Sequence, residues 1–368
     1  MSQEGSGTSR VHVSHEPDET EALTALMRCV EILNSGALAL MIATGHRLGL
    51  FDVLAGLHPS SSVQIAERAG LEERYVREWL AAMTTGGLVT YDPDDETYAL
   101  VPAYAGCLTA AAEPRNLART IQFIPLLGGV SGEVAECFRT GGGVPYESYA
   151  GFHDVMEEAS VAVADAVLID EVLPLIPDLP ERLRAGIEVA DIGCGSGYHL
   201  NLLATSFPAS SFVGYDFSSE AIERARHKAT ELGLSNIRFE VRDVAELGRS
   251  EAFDLVTAFD AIHDQARPAD VLDTIHTALR PGGRFLMADF RASSHLEDNL
   301  DHPVGPFLYT VSTLHCMTVS LALDGAGLGT AWGEQRAQQM LREAGFDDIE
   351  LAYLDDDPVN TYYLAHKQ

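Results

Sequence analysis

The apolar positions of the chain follow one rhythm in its first half and another in its second. Across residues 21–47, Ala22, Leu23, Leu26, Met27, Val30 and Leu33 recur at helical spacing, and Gly36 is expected to interrupt before Leu38-Ala-Leu-Met-Ile-Ala43. Residues 48–57 form a short apolar stretch, and Ser60, Ser61 and Ser62 offer N-caps for a helix over 63–69. Gly70 makes a turn. Residues 72–83 then predict a second helix with Val76, Leu80 and Met83 inward, ended by Gly86 and Gly87. Two strands, 88–91 and 97–101, flank Asp92-Pro-Asp-Asp-Glu96 as a hairpin. Helix, turn, helix, hairpin is the outline of a winged helix.

Residues 112–185 read as mainly helical, broken at Gly128-Gly129 and at Gly141-Gly-Gly-Val-Pro145, where a bend or lid is expected. From Ile187 onward strands alternate with helices, the pattern of a parallel sheet. Five strands are predicted at 187–191, 211–215, 237–241, 253–259 and 284–288, and a late antiparallel pair at 349–353 and 361–365. The fold class is therefore α/β, a Rossmann-like seven-stranded domain behind an α-rich winged-helix domain. The expected divisions are a disordered tail (1–20), a helical winged-helix domain (21–111), a helical linker or lid (112–185) and the α/β domain (186–368).

Composition narrows the classes of function. A chain of 368 residues, 46% hydrophobic, fits two globular domains and excludes wholesale disorder. Its polar start, with Gly5, Gly7 and Pro17, lacks the basic and apolar segments of a signal peptide, so a cytoplasmic location is expected. The charge-free run 303–323 carries too many polar groups for a membrane span and reads as buried wall beside a ligand; no membrane partner is expected. Cysteines at 29, 107, 137, 194 and 316 form no CxxC pair and no metal-ligand spacing, so no metal is expected. A net charge of −31 repels phosphate backbones. The second winged-helix helix opens Glu72-Glu-Arg-Tyr-Val-Arg-Glu-Trp79 and the wing tip is acidic, so no nucleic-acid partner is expected either.

The chemistry gathers at strand ends. Gly193, Gly195 and Gly197 lie between the first strand of the α/β domain and its helix, where glycine lets the backbone approach a ligand. The helix N-terminus behind them suits a carboxylate. A dinucleotide fingerprint wants its third glycine where Tyr198 stands, which disfavours NAD. Asp216 ends the second strand, where an acid accepts from ribose hydroxyls; after the third, Asp243 suits an adenine amino group and Val244 the ring face. Alone, each acid would be a solvated loop carboxylate. Together Asp191, Asp216 and Asp243 mark a ligand site.

Here the sequence resembles the class I S-adenosylmethionine-dependent methyltransferases, through Asp191 to Gly197, Asp216, Arg242-Asp243-Val244, Phe259-Asp260 and Leu279-Arg-Pro-Gly-Gly283. The resemblance implies S-adenosylmethionine as cofactor, S-adenosylhomocysteine as product, and a binding set of Asp191, Gly193, Gly195, Gly197, Asp216, Phe217, Asp243, Val244, Phe259 and Asp260. The N-terminal half resembles the dimerisation domain of small-molecule O-methyltransferases, implying a homodimer. Gly141-Gly-Gly-Val-Pro-Tyr146, Ile262-His-Asp-Gln265 and His302-Pro-Val-Gly-Pro306 are similar to an actinobacterial and mycobacterial winged-helix group. Plant-type relatives place a His-Asp pair where His263-Asp264 stands, implying His263 as general base; Gln265 departs from the aromatic residue usual there. A structural His263 with Asp264 as helix N-cap stays open beside that role. Tyr146, Tyr149, His153 and Tyr309 are candidate walls of a substrate pocket. The expected function is methyl transfer to a small-molecule acceptor, at oxygen. The alternatives are non-methylating chemistry with the same cofactor, and a ligand-responsive DNA-binding regulator.

Overall fold

The protein is described by a computed structural model over residues 18–368, and it divides into two compact units between Val101 and Pro102. Most of the tail expected at 1–20 lies outside the described residues. Its last residues instead start a helix, α1 (Glu19–Arg47), because Asp18 and Glu21 form a reciprocal capping box, with Glu21 N–H donating to Asp18 at 2.8 Å and Asp18 N–H to Glu21 at 3.1 Å. The break expected at Gly36 does not occur; one glycine costs about 1 kcal/mol in a helix interior, too little to stop a helix of 29 residues.

Three shorter helices follow, α2 (Leu50–Ala55), α3 (Ser62–Ala69) and α4 (Glu73–Thr85), then the antiparallel pair β1 (Val89–Asp92) and β2 (Thr97–Leu100). Of the three candidate serines, Ser61 is the cap of α3, in a box with Gln64. Val76, Leu80 and Met83 face inward from α4, as helical spacing requires. Trp79 ties α4 to α1: its indole N–H donates to the Met41 carbonyl at 2.8 Å and its ring meets Phe51 edge-on.

The second unit begins with helices, among them α5 (Phe123–Thr140) and α6 (Phe152–Val163), which runs on as a π-helical stretch, Ala164–Val172. Seven strands follow: β3 (Glu188–Ile192), β4 (Ser211–Asp216), β5 (Ile237–Val241), β6 (Phe253–Phe259), β7 (Leu279–Phe290), β8 (Asp348–Ala352) and β9 (Asn360–His366). They form one sheet in the order β5-β4-β3-β6-β7-β9-β8, parallel from β5 to β7, with β9 antiparallel between β7 and β8. Helices α7 (Tyr198–Ser206), α8 (Ser219–Glu231) and α9 (Pro268–Ala278) cross between strands and cover the faces. This is why Val189, Ala190, Leu255 and Phe285 are fully buried.

The chain winds from β3 through β4 to β5 on one side, then to β6 and β7 on the other. The crevice at that reversal, outside the carboxyl ends of the strands, is where open sheets bind ligands. The charge-free run folds over this end as α10 (Gly305–Val311), a π-helical turn (Ser312–Cys316) and α11 (Met317–Ala322). Val311, Cys316 and Val319 pack there with Phe123, Leu127 and Phe152.

Candidate active site

Two adjoining cavities, of about 290 and 320 Å³, lie at the carboxyl ends of β3, β4 and β6; Asp216, Phe217 and Gly193 line both. Gly193, Gly195 and Gly197 hold φ of 67°, 53° and 75°, a region that favours glycine. A Cβ at Gly193 would come within 2.5 Å of Ala261, and one at Gly197 within 2.6 Å of Phe239. At Gly195 it would meet nothing, and this is the glycine of the three that leaves free space beside the first cavity. Gly197 is the N-cap of α7 and carries no capping side chain, so the helix's first amide groups remain for a ligand.

Asp216 holds the turn together. Its two carboxylate oxygens accept from the Gly195 and Ser218 amides at 2.9 and 2.8 Å. Burial raises its pKa, and those two donors oppose the rise. Asp191 accepts from the Thr257 hydroxyl at 2.7 Å, and burial pushes its pKa up to about 7. Phe259 stacks on His199, 4.4 Å between ring centres, and burial lowers His199 to about 4. Asp260 has a left-handed backbone (φ 50°), and its Oδ1 is buried without a hydrogen-bond partner among the described residues. Burial, with Asp289 nearby, pushes Asp260 up to about 8.

The second cavity begins beside Asp216 and runs to Asp243 and Val244. Val244 is buried in the core, whereas Asp243 is solvent-facing: it accepts from the Ala245 amide at 2.9 Å and from Arg267 at 2.7 Å. The acceptor expected at this position is thus already engaged by a cation. Phe217 is half-exposed at the shared rim, edge-on to Tyr146.

His263 also lines the first cavity, 2% exposed, its Nδ1 2.8 Å from Asp289 Oδ1. Burial alone would lower its pKa, but the facing Asp289 carboxylate holds it well above the usual value. The capping alternative fails, because α9 begins only at Pro268, with Arg267 in the cap position. Asp264 instead lines both cavities, and burial pushes it up to about 7. Gln265, in the place of the aromatic residue, donates to the Ala261 carbonyl at 2.8 Å and closes its own turn.

The expected substrate wall divides. Tyr146 and His153 line the first cavity, His153 with its Nε2 3.4 Å from Ser218 Oγ. Tyr149 does not line it: buried behind, it donates to the Leu314 carbonyl at 2.6 Å and braces His315 edge-on at 4.7 Å. Tyr309 is also displaced. Phe307 and Val311, four residues apart on α10, face the cavity, so Tyr309 between them points away and accepts from Asn299 at 3.0 Å. Its place is taken by Phe152 and His315, stacked 4.0 Å apart and 9° from parallel. The sequence pattern does not single out Asp289, Phe152 or His199. Asp289 carries a signal, an acid near the end of a predicted strand like the other three; the rings carry none.

These features define a protein with the methyltransferase fold. Residues 183–345 match the family model for a methyltransferase domain, and residues 36–110 match that for the Rv2258c-like winged HTH domain. The chain joins these two domains in that N-to-C order, winged helix first. Over 136 residues it is 32% identical to the 27-O-demethylrifamycin SV methyltransferase of Amycolatopsis mediterranei, a match over 36% of this chain and 48% of that one. It spans about half or less of the length of the curated relatives it matches. In fold it is similar to a candidate O-methyltransferase of Nostoc punctiforme (TM-score 0.70, 20% identity, 96% of this chain and 100% of that one). It is likewise similar to human N-acetylserotonin methyltransferase in complex with S-adenosylmethionine (TM-score 0.66, 17% identity, 95% and 98%).

Proposed function

We propose that the chain transfers a methyl group from S-adenosylmethionine to an oxygen of a small molecule, with His263 as the base. One observation carries the reading: a glycine turn tied to Asp216 and a buried His263, paired with Asp289, line one cavity. The residues fit the cofactor. The open side of Gly195 leaves room for it, the uncapped start of α7 suits its carboxylate, and Asp216, common to both cavities, suits the ribose between them. Val244 would cover the adenine, and Phe259 and Asp260 would meet the methionyl end. When bound, the cofactor supplies an electrophilic methyl group on a sulfonium. Asp289 orients the His263 imidazole through Nδ1, and the other ring nitrogen, with the Cys316 side chain also against the ring, would take a proton from an acceptor hydroxyl.

Methyl-labelled cofactor incubated with the protein and a cell extract tests the transfer: label in a small-molecule product is expected, and cofactor cleavage without methylated product would favour the non-methylating alternative. Asp216→Ala should weaken cofactor binding at least about tenfold by calorimetry. Unchanged affinity would sink the ribose assignment.

We further propose that α1 pairs with α1 of a second copy. Leu23, Leu26, Val30, Leu33 and Leu40, with Ala37, recur at alternating steps of three and four, the seam of a coiled coil, and all are solvent-exposed in the single chain. By length and composition α1 could also cross a membrane. The heptad seam and the charged Glu21, Arg28 and Glu31 along the helix favour a protein partner. Nucleic acid is disfavoured by charge: the arginines of α4 are paired on the helix itself, Arg74 to Glu78 at 2.6 Å and Arg77 to Glu73 at 3.3 Å, and the wing offers only acids.

A further inference from the structure

The first cavity is lined by Glu157, Asp191, Asp216, Asp260 and Asp264, and among the described residues around it there is no lysine or arginine. Of the arginines nearby, Arg119 is paired with Glu113 at 2.9 Å, and Arg267 of the second cavity is bound to Asp243 and Glu246. Three of the four histidines in the lining add no net positive charge, and the fourth, His153, sits with its Nε2 3.4 Å from Ser218 Oγ. Burial pushes His199 down to about 4 and His315 to about 3, which leaves both neutral. His263 faces Asp289, so that pair carries no net positive charge. An anionic acceptor would lose its water here and find no lysine or arginine in the lining to balance its charge.

The walls add a shape. Phe152 and His315 are stacked face to face as a panel two rings thick, and Tyr146 stands at 77° to one and 70° to the other. Phe123 and Phe307 complete the lining. A panel of parallel rings with an edge-on neighbour suits a planar aromatic guest, through offset and edge-to-face contact.

We propose that the acceptor is a planar aromatic hydroxyl compound without negative charge, and that carboxylate-bearing acceptors bind more weakly because the lining holds no lysine or arginine. The inference rests on the methyl-transfer reading above for the word acceptor, and on the cavity alone for its chemistry. Calorimetry at pH 7.5 on the full chain saturated with S-adenosylhomocysteine tests it, with 2-naphthol, 2-naphthoate and 1-decanol as probes. Naphthol is expected to bind at least about tenfold more tightly than either of the others. Naphthoate binding as tightly as naphthol overturns the charge rule; decanol doing so overturns the planar one; undetectable naphthol binding overturns both. His315→Leu, which keeps apolar volume and removes the ring, should cost naphthol several-fold in affinity and leave that of S-adenosylhomocysteine unchanged. Full naphthol affinity in that variant overturns the panel. Phe307→Lys should raise naphthoate affinity above that of the unaltered chain, and no gain in a variant that still binds S-adenosylhomocysteine overturns the charge rule. Methyl transfer is read separately with labelled cofactor. Naphthol that binds without being methylated counts against transfer and keeps the cavity assignment; a carboxylate methylated as readily as naphthol keeps transfer and sinks the charge rule.

Discussion

His263 and Asp289 lie 26 residues apart in the chain and 2.8 Å apart in space. Burial disfavours the charged imidazole and the carboxylate favours it, and the carboxylate wins, so the pKa stands well above its usual value. A base must be neutral to accept a proton, so activity should fall as pH drops through that raised pKa. The acid limb of the kcat/KM profile is therefore expected above pH about 6.5. Asp289→Asn removes the charge and keeps a hydrogen-bonding side chain, and it should move that limb down by at least about one pH unit. An unmoved limb would assign it to another group. His263→Ala should lower kcat by about 10²–10⁴-fold with cofactor affinity intact. The His-Asp dipeptide in the sequence points to His263, and the carboxylate that faces its ring is Asp289. Adjacent residues leaving a strand diverge, whereas the next strand, β7, runs alongside and brings Asp289 within reach.

At the scale of elements, three glycines of one turn carry different duties. Gly197 is closed in by Phe239 and Ala225, whereas the Cβ direction of Gly195 is empty. Gly197→Ala should thus cost fold stability, lowering Tm by several degrees, and weaken binding only as a consequence. Gly195→Ala, strained by its positive φ but free of a clash, should cost less Tm than Gly197→Ala and lower S-adenosylmethionine affinity at least about tenfold. Thermal melts and calorimetry on both variants check this; equal losses in both would erase the distinction. The GxGxG spacing was legible because backbone conformation is a local property. The π-helical stretches at Ala164–Val172 and Ser312–Cys316 were not, since an extra residue per turn leaves no mark on apolar periodicity. Both bring residues to the cavity wall, Val167 and Leu168 from the first, His315 and Cys316 from the second.

At the scale of the molecule, the exposed seam of α1 should set the oligomeric state. Leu26→Glu with Leu33→Glu places charges in the middle of that seam, and light scattering is expected to show a dimer for the unaltered chain and a monomer for the variant. A variant that stays dimeric would move the interface elsewhere. Each copy carries a net charge of −31, so association should also tighten as salt is added. Dissociation by salt would instead point to an interface held by ion pairs.

The alternation of strands and helices, the glycine turn with its acids at 191 and 216, and the acidic winged helix were all determined by the sequence itself. Each depends on residues close together in the chain or on charge that no fold can hide. The tertiary structure alone decided which carboxylate faces His263, that Arg267 engages Asp243, and that Phe152 and His315 rather than Tyr149 and Tyr309 form the wall. Those are contacts between distant segments. Strand order and the rotation of each helix about its axis select them, and neither is written in local periodicity.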